Sequence, residues 1–245
     1  MTRSADDLAP VDQFHIGGKE ATRHLARLAG VRAGHLVFDV GGGLGGPART
    51  LVREFGSLVT VVDLVAEYCR VGALLTARTD LSRHLGFVNA SALNLPFGDE
   101  SFDVVWTQHS SMNIEDKDRL YAELHRVLRS GGRLALHEIM TGSRIPVRFP
   151  VLWAREQSTS FLRPPAAVRE LLLATGFAER AWEDVTDVSL AGMMQSLPSE
   201  VPIAPPPLGL HLLLGDACGA MMQNLVCNLA ERRIAVVRGV FVRRP

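Results

Sequence analysis

Leu36-Val37-Phe38-Asp39-Val40-Gly41-Gly42-Gly43-Leu44-Gly45-Gly46-Pro47 is the stretch whose reading decides the fold. Its first five residues form a short apolar run of the kind that lies buried in a parallel sheet. The glycines that follow make a turn where no side chain keeps a ligand away from the backbone. Proline is tolerated in the first turn of a helix, so Pro47 opens one that Ala48, Leu51, Val52 and Phe55 continue. Strand, glycine loop and helix make one βα unit.

The same unit recurs outward from this stretch. Leu58 to Val62 reads as a second strand ending in Asp63, and Glu67 to Ala77 as a helix. Gly86-Phe87-Val88 is a third apolar run, leading to Leu95-Pro96-Phe97, and Phe102 to Trp106 is a fourth. A helix over Asp118 to Leu128 is predicted to stop at Ser130-Gly131-Gly132, with glycine as its left-handed cap, before a strand over Arg133 to Ile139. This alternation over residues 36–139 predicts an α/β fold, a doubly wound, Rossmann-like, mostly parallel sheet with helices on both faces.

Upstream, Ala21, Leu25, Leu28 and Ala29 follow Gly17-Gly18 at helical spacing. Downstream of 140 the rhythm loosens. Pro146, Pro150, Pro164-Pro165 and the run Pro198 to Pro207 mark loops, Ala166 to Thr175 and Leu208 to Glu231 read as helices, and the β-branched Ile234 to Val242 as a last strand. Residues 1–30 are expected as an N-terminal helical segment and 31–245 as a single domain, with insertions near 140–165 and 188–232.

The 245 residues carry 26 basic and 26 acidic side chains, so no net field draws the chain to nucleic acid or to an acidic membrane, and neither is an expected partner. Only Lys19 and Lys117 are lysines. Cys69, Cys218 and Cys227 are far apart and lack metal-ligand spacing, which predicts no metal site and fits a reducing cytoplasm. Apolar stretches such as Leu208 to Gly215, with its His211, fall short of the ~20 residues of a membrane span, and the polar start Met1 to Asp7 is no signal peptide. A soluble cytoplasmic protein is the expectation. Oligomeric state leaves no mark in the sequence.

Glycine spacing alone leaves the ligand open. Gly41, Gly43 and Gly46 satisfy the dinucleotide pattern G-x-G-x-x-G, whereas Gly41, Gly43 and Gly45 satisfy a tighter G-x-G-x-G. Asp63, twenty residues after Gly43, stands where a carboxylate can accept from both ribose hydroxyls, or where it can turn the chain and cap a helix. Asp39, two residues before the first glycine, disfavours a pyrophosphate nearby and favours a ligand bearing an amine or sulfonium.

With these residues in view, the sequence resembles class I S-adenosylmethionine-dependent methyltransferases. The resemblance is carried by Val37 to Gly45, Val62-Asp63-Leu64, Leu95-Pro96-Phe97, Ser101 to Val105 and Leu128 to Leu134, five motifs in family order. Asp12-Gln13-Phe14-His15-Ile16-Gly17-Gly18 is similar to the small-molecule branch that holds quinone-biosynthesis and sarcosine/dimethylglycine methyltransferases. The resemblance implies seven strands, the antiparallel last one lying beside a strand near Ala178 to Val185. It also implies S-adenosylmethionine as cofactor. Asp39 and the loop at Gly41, Gly43 and Gly45 would lie by its methionine part, Asp63 by the ribose, Leu64 and Leu93 on the adenine faces, and Ala92 at a ring nitrogen. Gln108 would complete the site, and His15 with Phe14 would fold over it as a lid. Ser91 stands where many relatives have an acid to receive the adenine amine, a weaker, uncharged acceptor.

Methyl transfer is an in-line displacement in which positioning alone can supply ~7 to 11 kcal/mol of the barrier. An oxygen or carbon nucleophile usually needs a base, whereas a neutral amine or a thiolate does not. His109, after the fourth strand, and Glu138, in the fifth, are the catalytic candidates. His137, on the opposite side of the strand from Glu138, reads as structural. The histidine of similar sugar O-methyltransferases aligns with Asn113 and is absent. The sequence thus reads as transferring a methyl group to an N, O, S or activated C atom of a small-molecule acceptor. Its rivals are an NAD(P)-dependent oxidoreductase on the same loop and a non-catalytic cofactor-binding regulator.

Overall fold

The computed structural model describes residues 5–196 and 206–244. Seven strands form one sheet: β1 (Leu36–Val40), β2 (Leu58–Asp63), β3 (Leu85–Asn89), β4 (Phe102–Gln108), β5 (Leu128–Thr141), β6 (Phe177–Asp184) and β7 (Ile234–Arg243). Their spatial order is β3-β2-β1-β4-β5-β7-β6. The pairs from β3 to β5 are parallel, and β7 runs antiparallel to both its neighbours, as the resemblance implies. Strand order reverses between β1 and β4, which opens a crevice at their carboxyl ends.

Helices α1 (Ala5–Asp12), α2 (Gly18–Leu28), α3 (Gly46–Phe55), α4 (Ala66–Ala77), α5 (Lys117–Val127), α6 (Pro165–Ala174), α7 (Thr186–Ser196), α8 (His211–Leu214) and α9 (Cys218–Ala230) cover the sheet. Successive side chains of a strand point to opposite faces. Phe38, Val40 and Val105 therefore pack with Leu124 of α5 and Leu172 of α6, while Val37, Val104 and Trp106 pack with Leu25 of α2 and Leu51 of α3. A third cluster sets Ile139 and Val236 beneath Leu225 and Leu229 of α9. Each such side chain stabilises the fold by ~1.5 to 3 kcal/mol, so the two faces of the central strands dominate stability.

Two expectations are corrected. The helix before β5 has no glycine cap: it ends at Val127, and Leu128 is already extended (φ −81, ψ 135) and paired with Phe102. Burial of Leu128 in the core draws the chain straight into the sheet. The register then shifts until Arg133 faces Val104, and Gly131 (φ 72) falls within that irregular stretch. The predicted helix over Leu208 to Glu231 is broken after α8 by Gly215, whose φ 65, ψ −151 is open essentially to glycine alone. Helices α1 and α7 were not legible from periodicity. Most of the run Pro198 to Pro207 lies outside the described residues. Among the described residues no helix is long and apolar enough to cross a membrane.

Helix α1 is held by a buried charge. Arg49 of α3, 1% exposed, donates to Asp12 Oδ2 (2.6 Å), to Leu44 O of the glycine loop (2.7 Å) and to Thr76 Oγ1 of α4 (2.9 Å). Gly46 lets α1 approach, because a Cβ there would collide with the Asp12 carbonyl. Removing one partner of a buried pair strands the other, at a cost of about 3–5 kcal/mol, while replacing both with apolar residues is often neutral. Arg49→Met should therefore lose about that much in urea denaturation. Asp12→Leu/Arg49→Met should recover most of it; equal losses in the single and double variants would show that the pair does not carry the docking of α1.

Candidate active site

A cleft of about 630 Å³ lies beyond the carboxyl ends of β1, β2 and β4. Gly41 and Gly43 shape its floor. Gly41 has φ 67, and a Cβ there would sit 2.5 Å from Ser110 Cβ, so only glycine lets the loop pass the segment after β4. Gly43 has φ 55 and nothing within 4 Å of a Cβ position, while its N–H donates to Asp63 Oδ2 (3.0 Å). Gly45 does not line the cleft. It stands before α3 and packs by Phe87.

Asp63 stands at the end of β2. Its carboxylate accepts from the N–H groups of Gly43 and Val65 (2.9 Å), turning the chain into α4, and it lines the cleft. Burial raises its pKa, and those backbone bonds oppose the rise. Asp39 is 1% exposed in the cleft wall, and its buried Oδ2 has no hydrogen-bond partner. Burial, and then the negative charge of Asp63, push its pKa up to about 7. Asp12, Glu115 and Asp116 add three more carboxyls to the lining, and no lysine or arginine does so among the described residues. An unpartnered acid in an acidic, cation-free wall suits a ligand that brings positive charge.

Part of the cleft lining is apolar. Leu64, 74% exposed, faces it with Val65, Tyr68, Ala92 and Leu93. Ser91 also lines it, but its Oγ already accepts the Leu93 N–H (3.2 Å). Gln108 Oε1 is held by Thr22 Oγ1 and Trp106 Nε1, both at 3.2 Å, and its buried Nε2 has no partner.

Neither proposed base stands as expected. Glu138 is fully buried and absent from the cleft lining. It accepts from Thr107 Oγ1 and from the N–H groups of Ser110 and Ser111 (each 3.2 Å), so it fastens the segment after β4. Its reach toward the cleft runs through two hydroxyls, Thr107 Oγ1 and the Ser110 Oγ 2.9 Å away. His109 does line the cleft, in a left-handed conformation (φ 53), but its Nδ1 accepts the Ile16 N–H (3.4 Å). A neutral imidazole accepting at Nδ1 carries its proton at Nε2. Burial pushes its pKa well down, so the ring stays neutral and its unpartnered Nε2–H is a donor. Ile16 O in turn lies 3.1 Å from Nε2 of His137, whose ring stacks on His109 at 5.0 Å. Two stacked histidines thus clamp one residue of the N-terminal segment, Ile16, from both of its backbone polar groups, and His15, with its Nε2 3.0 Å from Gly18 O, completes the cluster.

A methyltransferase domain family matches residues 38–136. The methyltransferase GfsG of Streptomyces halstedii is 35% identical over 134 residues, 55% of this chain and 48% of that one. The sarcosine/dimethylglycine N-methyltransferase of Halorhodospira halochloris is 30% identical over 183 residues, 74% of this chain and 64% of that one. This chain is similar, over residues 38–136, to a methyltransferase domain. It spans less than two thirds of the length of either relative. Among solved structures, the [4+2]-cyclase SpnF superposes with a TM-score of 0.71 at 22% identity, over 92% of this chain and 81% of that one, which is a likeness of fold.

The matched stretch supplies the glycine loop, Asp63, Ser91 to Leu93 and Gln108 to Ser110. Other walls come from outside it: Val11, Asp12, Phe14 and His15 on one side, Phe161 and Leu213 on the other. Sequence reasoning missed Asp12 and Arg49 as a pair. The signal was an arginine set among Ala48, Leu51 and Val52 on an apolar helix face, with an acid upstream needing a partner.

Burial holds His15 at a pKa near 4, against an ordinary value of 6.5. A base whose folded pKa is lowered adds stability that is complete above the unfolded value and lost as pH falls toward the folded one. The advantage of wild type over His15→Gln in urea denaturation should shrink from pH 6.5 down to 4. A constant difference would mean that His15 is solvated.

Proposed function

We propose that this protein binds S-adenosylmethionine in the cleft and transfers its methyl group to a small-molecule acceptor. The observation that carries the proposal is the unpartnered Asp39 carboxyl in a wall of five acidic residues with no lysine or arginine among the described residues. A dinucleotide would bring two phosphate charges against that wall, which speaks against the oxidoreductase reading. The fold alone would not choose, since it also houses a protein described as a cyclase. The matched methyltransferase domain and the acidic wall support the same reading from independent directions.

When bound, the cofactor supplies a sulfonium-activated methyl group. Asp39 would neutralise positive charge on its amino-acid tail, Asp63 would accept from the ribose hydroxyls, and Leu64 and Leu93 would sandwich the adenine. Phe14 and His15, with α1 behind them, would form the cover that keeps water out, a lid role we extend to the N-terminal segment. His109 Nε2–H would steady a lone pair of the acceptor rather than take its proton. An acceptor atom that is already nucleophilic, a neutral amine or a thiolate, fits this best, because neither Glu138 nor His109 is free to take a proton. The chemical identity of the acceptor would be set by the walls outside residues 38–136, including the segments near 140–165 and 188–232. Three free thiols, Cys69, Cys218 and Cys227, support a reducing, cytoplasmic setting.

Isothermal titration tests this reading: S-adenosylhomocysteine should bind at micromolar concentration and NAD should give no heat, and the reverse would refute it. Asp63→Ala should weaken S-adenosylhomocysteine by about 1.5–3 kcal/mol, the range for hydrogen bonds to a charged group. Binding should also tighten as pH rises through 7, because Asp39 must lose its proton to meet the ligand's ammonium. Asp39→Asn should abolish that slope.

A further inference from the structure

We propose that the opposite end of the sheet carries a binding site for a small oxyanion, phosphate or a small phosphate monoester. A second cavity, of about 180 Å³, is lined by Arg32, His35, Asp103, Arg129, Gly131 and Arg133 among others. These residues sit where β1, β4 and β5 begin, at the other end of the strands from the acidic cleft. The site is thus independent of the methyl-donor reading.

Three guanidinium groups meet one carboxylate there, and that carboxylate is already engaged. Asp103 Oδ2 accepts the Leu36 N–H (2.8 Å), and Oδ1 accepts from Arg129 Nη1 (2.6 Å). Arg133 uses Nη1 on the carbonyls of Ala29 (2.9 Å) and Gly30 (3.3 Å), capping α2. The Arg32 side chain has no hydrogen bond or ion pair among the described residues. All three side chains keep N–H groups without a protein acceptor in this arrangement.

A second, independent sign is His35. Its Nδ1 is buried and has no hydrogen-bond partner, an orphan of the kind that a ligand or an ordered water satisfies. Burial lowers the pKa of this ring, and the positive fields of Arg32 and Arg133 lower it further, with Asp103 opposing. Arg32 and Arg133 therefore both act on the His35 ring beside one small volume, a local excess of positive charge over the single Asp103 carboxylate. A tetrahedral oxyanion is the ligand that relieves it, since the planar arginine fork matches phosphate oxygens and makes charge-assisted hydrogen bonds. The volume admits phosphate or a short ester of it, whereas a nucleotide would overfill it.

The test is thermal unfolding of the full chain at pH 8 in sodium phosphate, against sodium chloride of equal ionic strength. A saturable rise specific to phosphate is expected. Arg32→Gln should weaken it about tenfold or more, and Arg27→Gln, on an α2 residue outside the cavity, should not. Glycerol 3-phosphate separates the sources: tighter binding than phosphate assigns the site to a phosphorylated metabolite, weaker binding to free phosphate. An equal rise in chloride, or unchanged affinity in Arg32→Gln, overturns the proposal. S-adenosylhomocysteine titrations should be the same in both variants, so failure here and failure of the donor reading remain distinguishable.

Discussion

The geometry of the cleft rests on one buried guanidinium. Arg49 is almost wholly removed from water, and such a charge survives only where acceptors meet it, as they do at both Nη atoms though not at Nε. Its three partners belong to α1, to the glycine loop and to α4, which are separate in sequence and meet at this side chain. The ion pair therefore adds little net stability yet decides position. It brings α1 against the amino end of α3 and so turns a glycine loop exposed on a sheet edge into the floor of a walled cleft.

Charge is distributed along the strands in a way that composition conceals. The formal net charge of zero describes a molecule with carboxyls clustered beyond the carboxyl ends of the central strands and arginines clustered at their amino ends. The strands between them are apolar and closely packed, so neither cluster neutralises the other by contact. At each end one pair is met within the protein, Asp12 by Arg49 and Arg129 by Asp103, and the remaining charges are left to solution or a ligand. Asp39 shows the cost of that arrangement: it tolerates burial without a partner only by holding its proton up to neutral pH.

The parallel strands, the glycine loop and Asp63 were legible because their signals are local. An apolar run of five followed by glycine reads the same wherever it stands, and Leu36–Val40 and Leu58–Asp63 were found within a residue of their ends. The cap at Gly131 and the helix over residues 208–231 were misread for the converse reason. Leu128 gives up a helical end for a place in the core, and Gly215 breaks a helix whose side-chain pattern runs on without interruption. Local preference was overridden by packing in the first case and by a single backbone conformation in the second.

What the residues by themselves determined is the layered α/β sheet, the crevice at its carboxyl edge and the acidic character of the residues beside the glycines. All three follow from hydrophobic period and from spacing along the chain. What only the tertiary structure decided is which polar atoms are free. Glu138 is saturated by hydrogen bonds from a segment nearly thirty residues earlier, and His109 is fixed as a donor by a peptide more than ninety residues upstream. Whether a group can act on a proton depends on which partners it already has, and partners are assigned by the packing of distant segments rather than by the residues on either side.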